Sequence, residues 1–161
     1  MGRLKISAGL RACACLVLLA AAAAQAKEWR RVVPLRTTRA QVERRLGKPR
    51  GPYYEFETER AFVVYSAGRG CAGGEGWDVP RDTVVQIVVT PKTKLRLSAL
   101  RLDMRRFEKS QAPGDAHAHY TDKAAGLAYE VYEGGGDENG LVLHVQYDPA
   151  ARDARLRCRP N

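Results

Sequence analysis

Thr38-Arg39-Ala40-Gln41-Val42-Glu43-Arg44-Arg45-Leu46-Gly47-Lys48-Pro49, followed by Tyr53-Tyr54-Glu55-Phe56-Glu57, is the stretch on which the fold turns. Thr38 is placed to cap a helix while Gln41 reaches back to it, and Gly47 with Pro49 stops that helix after about two turns. Ala40, Val42 and Leu46 give it a narrow apolar stripe. So short a helix is marginal alone in water and has to lie on an apolar surface.

The strands that follow are the obvious surface. Tyr53 to Glu57 and Ala61 to Ser66 are β-prone and are joined by Thr58-Glu59-Arg60, the length of a hairpin connection. Tyr54 and Phe56 alternate with Glu55 and Glu57, so one side of the sheet is expected to meet water. Thr83 to Thr90, nearly continuous in β-branched residues, is the strongest strand and belongs inside the sheet. Lys92 to Ser110 reads as a connection containing a short helix, Gln111 to Asp115 as a turn and Ala116 to Thr121 as an extended segment. Gly126 to Glu133 and Leu141 to Tyr147 read as strands around a glycine-rich hairpin loop. The expected class is α+β: an antiparallel sheet with one or two short helices packed on one face and a helix-hairpin start.

The N-terminus points to export. Arg3, Lys5 and Arg11 precede an apolar run from Ala12 to Ala24, and Ala24-Gln25-Ala26 precedes Lys27-Glu28, which is the build of a secretory signal cleaved after Ala26. The run is too short to cross a hydrocarbon core, so no integral membrane span is expected in the mature chain. Residues 1–26 are thus a signal peptide and residues 27–161 a single domain, periplasmic or secreted. Cys13 and Cys15 leave with the signal, and of the chain's four cysteines Cys71 and Cys158 remain, an even pair in an oxidising compartment and therefore a disulfide.

The formal charge is +9, and +6 once the signal's three basic residues are removed from the 27, against 18 acidic ones. This excess reads as mild and scattered. Without a basic stripe interleaved with aromatics, nucleic acid is not an expected partner. An envelope protein or an anionic envelope polymer fits an exported basic chain better.

Residues 34–66 resemble the opening of the small outer-membrane-assembly lipoproteins of the SmpA/OmlA type. The pattern is Pro34-Leu35-x-x-Thr38-x-x-x-Val42-x-x-x-Leu46-Gly47-x-Pro49 before a hairpin. The layout is also similar to the β-lactamase-inhibitor-protein fold. This resemblance implies a non-catalytic scaffold that binds other envelope proteins, although the lipid-acceptor cysteine is missing here and the Cys71 and Cys158 pair is foreign to that pattern. Gly76-Trp77-Asp78-Val79-Pro80-x-Asp82-Thr83-Val84, with a closing Leu156-Arg157-Cys158, resembles a group of uncharacterised exported bacterial proteins and carries no activity with it.

Chemistry-bearing residues are sparse. His117-x-His119 on an extended segment directs both imidazoles to one face, with Asp115 and Asp122 near in sequence, the makings of a zinc site. No H-E-x-x-H accompanies them, and His144 is the only other histidine. The glycines from Gly68 to Gly76, with Arg69, lack the order of a phosphate-binding loop. Glu55, Glu57 and Glu59 read as a solvated strand face, and no serine or free thiol has a nucleophile's context. Trp77, beside the glycine loop, is expected to plug that loop onto the core, or else to serve with Arg69 as a binding anchor. The expected function is therefore a non-catalytic binding or scaffold protein without cofactor or metal. The alternative is a small metal-dependent hydrolase using His117 and His119.

Overall fold

The computed structural model describes residues 27–69, 71, 76–134 and 140–158; the signal segment and most of the glycine loop after Cys71 lie outside them. The strands are β1 (Tyr53–Glu55), β2 (Glu59–Tyr65), β3 (Val84–Pro91), β4 (Glu108–Ser110), β5 (His117–Asp122), β6 (Leu127–Tyr132) and β7 (Leu141–Tyr147). They form one antiparallel sheet in the order β1-β2-β3-β7-β6-β5-β4. The β-branched run expected to be an interior strand is β3, flanked by β2 and β7. At the two edges lie the shortest strands, of three residues each, which limits the unpaired backbone they expose.

The molecule is mainly β, and the α+β expectation is corrected. Its one α-helix among the described residues, α1 (Arg39–Leu46), begins where the capping residues place it: Thr38 accepts from the Gln41 backbone and Gln41 returns a bond to the Thr38 backbone. Yet Val42 is its only buried residue. A stripe that narrow cannot make a layer. The second expected helix resolves into two 3-10 turns, Leu97–Leu100 and Met104–Arg106. Leu95, Leu97, Leu100 and Leu102 are spaced two, three and two residues apart, which no α-helical face repeats.

What covers the sheet is therefore mostly extended chain. Trp29 and Val32 join Val42 in the buried cluster with Ala61, Val63, Ile87, Val89, Leu127, Tyr129, Val131 and Val145, and the leucines of 95–102 with Phe107 pack against it. The segment before α1 is stitched to the start of β3 by Leu35 donating to Val84 and Val84 to Thr37, at 2.7 and 2.8 Å. The chain thus opens with this strap lying along the sheet, with α1 following it.

The opposite face carries the alternate residues. Across it run Phe62, Val88, Gln146, Ala128 and Thr121 in register, and beside them Arg60, Thr90, His144, Glu130 and His119. It is the water-facing side that the alternation around Tyr54 foretold, and Phe62 on it is 41% exposed.

Cys71 and Cys158 are joined in a disulfide across 87 residues, with Cα atoms 5.4 Å apart. The tail turns through a 3-10 segment, Ala151–Leu156, and then pairs with the chain around Trp77. Asp78 donates to Leu156 at 2.8 Å and Cys158 to Gly76 at 3.0 Å, so the Gly76-Trp77-Asp78 signature and the closing Leu156-Arg157-Cys158 are two sides of one backbone ladder.

Candidate functional site

Three places bring polar or charged side chains together. The first is built on the disulfide. Arg69 and Trp77 line a cleft of about 270 Å³ whose wall includes Cys71, Cys158, Ser66 and Val85. On its other side Trp77, with Val85 and Gly76, lines a larger cleft of about 670 Å³ that runs toward Lys123, Asp148 and Arg157. Trp77 is half-buried and lies outside the hydrophobic cluster of the described residues, so it is a partition between two concavities rather than a plug in the core. The polar groups of the larger cleft are already engaged. Asp148 accepts from Gln86 and Gln146, each at 2.8 Å, and buried Asp122 pairs with Arg106 at 2.7 Å while accepting from the Ala125 backbone.

A second place gathers charge. Residues 30–50 hold eight basic residues, Arg30, Arg31, Arg36, Arg39, Arg44, Arg45, Lys48 and Arg50, against the single acid Glu43. That segment accounts for more than the whole +6 excess of residues 27–161, so the charge is concentrated, contrary to the scattered distribution expected. At one end Arg36 and Arg39 are tied to Asp153 and Asp82, at 3.0 and 2.9 Å. The Asp82 bond also raises the Arg39 pKa, against some loss from burial.

At the other end the cations cluster around a cleft of about 290 Å³ lined by Leu46, Lys48, Arg50, Tyr54, Glu55 and Phe56. Arg30 lies 3.9 Å over the Phe56 ring and pairs with Glu59, which also accepts from the Trp29 indole. Arg45 donates to the Arg31 carbonyl, bringing the end of α1 against the strap. Glu55 is held by Lys92 at 2.7 Å. Arg44, Lys48 and Arg50 are exposed and carry no ion pair among the described residues. The result is a cationic rim around an aromatic and aliphatic floor. Glu55 and Glu59, expected on one strand face, instead end β1 and begin β2, and both serve as counter-ions to this rim.

Histidines make the third place. His117 and His119 share the water-facing side of β5, as their spacing predicts, and His144 of β7 shares it too. His117 Nδ1 lies 3.3 Å from Glu130 Oε1 and its ring stands edge-on to Tyr132. In these positions no three His, Cys, Asp or Glu side chains among the described residues are grouped to hold a metal ion. Asp122, near in sequence, is buried and bound to Arg106, and Asp115 is occupied in accepting from the His117 backbone.

The basic concentration was present in the sequence and a windowed charge count over 30–50 finds it; the partnership of Glu130 and His144 with His119 needed the strand register. Comparison with known proteins adds no relative: no family model, no curated protein and no solved structure matches this chain.

Proposed function

We propose that this chain is an exported, non-catalytic binding protein of the bacterial envelope, and that it engages anionic envelope material through the cationic rim at the end of α1. The observation that carries the reading is the segregation of charge: eight basic residues against one acid in residues 30–50, several of them set around an apolar floor. Such a surface suits phosphate-bearing headgroups or polymers, whose charge meets the arginines while their apolar parts meet Leu46 and Phe56.

Three further features support it. The N-terminal pattern is that of a secretory signal, and the disulfide is compatible with a periplasmic or extracellular location. No helix among the described residues is long and apolar enough to cross a membrane. The likeness of residues 34–66 to SmpA/OmlA-type scaffolds also favours binding over catalysis.

The test is co-sedimentation with vesicles of phosphatidylglycerol in phosphatidylethanolamine, against vesicles of phosphatidylcholine alone. Selective binding to the anionic vesicles that weakens as salt is raised is expected. Each basic side chain near an anionic surface is worth about 1 kcal/mol, so the triple variant Arg44→Gln, Lys48→Gln, Arg50→Gln is expected to bind on the order of a hundredfold more weakly. Equal affinity for the two vesicle types, or a triple variant that binds like the parent, overturns the reading.

A further inference from the structure

We propose that His117, His119, Glu130 and His144 form a binding site for one divalent transition-metal ion of the zinc class on the water-facing side of the sheet. The chain contains three histidines, and all three fall on this face. They are organised about one carboxylate. His119 of β5 is the direct cross-strand partner of Glu130 of β6, and Glu130 is the direct partner of His144 of β7. His117, two residues before His119, already touches the Glu130 carboxylate, at 3.3 Å.

Directly opposed residues on antiparallel strands have their Cβ atoms about 4.5–5.5 Å apart, within the reach of an imidazole and a carboxylate to a shared ion at about 2.0–2.2 Å. Two histidines at i and i+2 with a ligand on the neighbouring strand present three donors to one point above the pleat. Imidazole nitrogen with carboxylate oxygen is the donor set that zinc, nickel and copper prefer.

His144 has its ring fixed from behind. Its Nδ1 is 3.1 Å from the Thr90 hydroxyl, an outer partner that leaves Nε2 as the nitrogen turned to an ion. In the structure His117 is turned onto Glu130, and the ligands are not drawn together. Assembly of the site needs side-chain rotation, since the three imidazoles and the carboxylate all project from paired, regular strand. His117 is 44% and Glu130 30% exposed, so their rotation displaces no core atoms. The ion takes the place of the proton that His117 would otherwise share with Glu130. This site is independent of the cationic rim, which lies on other elements.

The test is isothermal titration of the tag-free protein with zinc and with nickel chloride, and a cobalt titration followed in the visible spectrum. Stoichiometric binding of one ion per chain with micromolar affinity or tighter is expected, with cobalt bands of a nitrogen- and oxygen-ligated ion. His117→Ala with His119→Ala is expected to abolish it, while Glu130→Gln and His144→Ala each weaken it at least tenfold. Circular dichroism checks that the variants fold, and cobalt-induced broadening of the three imidazole resonances in the unaltered protein reads the site without any substitution. Absence of stoichiometric binding, binding that survives the double histidine variant, or broadening elsewhere in the chain overturns the proposal.

Discussion

Gly126 precedes β6 at φ +64°, and a methyl group built on it would stand 2.1 Å from the Asp148 carbonyl oxygen and 2.9 Å from the Pro149 backbone. Both the backbone conformation and the close approach demand glycine there. Gly126→Ala is expected to cost about 2–4 kcal/mol, from left-handed strain and overpacking against immobile backbone, read as a fall in the urea midpoint. A different kind of constraint holds Glu133. The Lys109 ammonium at 2.7 Å, and then the Tyr120 hydroxyl, keep its carboxyl below the usual carboxylate range. A depressed carboxylate stabilises the fold above its unfolded pKa, and that contribution disappears as pH falls through the folded value. Glu133→Gln is therefore expected to be less stable than the parent at neutral pH and equal to it at the acid end, measured by denaturant midpoints across pH. A constant difference at every pH would assign Glu133 a packing role instead.

Among the elements, α1 shows how local signals and tertiary use part company. Thr38, Gln41 and Gly47 set its ends by bonds within a few residues, which is why the sequence places it accurately. How much of it is buried depends on what else reaches the sheet, and the strap bearing Trp29 and Val32 occupies that surface first. The Leu-rich connection was misread for a related reason. Its leucines fill gaps over the sheet from 3-10 turns, without a helical period to announce them. The tail is the element most dependent on one bond. Restricting an 87-residue loop is worth on the order of 4 kcal/mol of stability by chain entropy. The Cys71→Ser, Cys158→Ser variant is expected to lose about that much, and hydrogen exchange is expected to speed up at the Asp78 and Cys158 amides that ladder the tail to Trp77. Unchanged exchange there would show that the ladder holds the tail by itself.

Across the whole molecule, the sheet gives one side to the core and leaves the other to water. The charge is separated just as plainly, with the basic excess around the strap and α1 and the histidines on the open side of β5 and β7. Neither surface depends on the other. Binding at the rim is expected to respond to salt, and binding at the histidines to respond to competing protons and to metal.

Several features needed nothing but the order of residues: the export signal pattern, the cysteine pair, the capped helix, the interior strand Val84–Pro91 and the common face of His117 and His119. Each rests on neighbours in sequence or on counting. The mainly β class, the place of Trp77 between two clefts and the meeting of Glu130 with His144 came only with the folded chain. They depend on which strand lies beside which and on what reaches the sheet first, and residues far apart in sequence settle that through burial rather than through local preference.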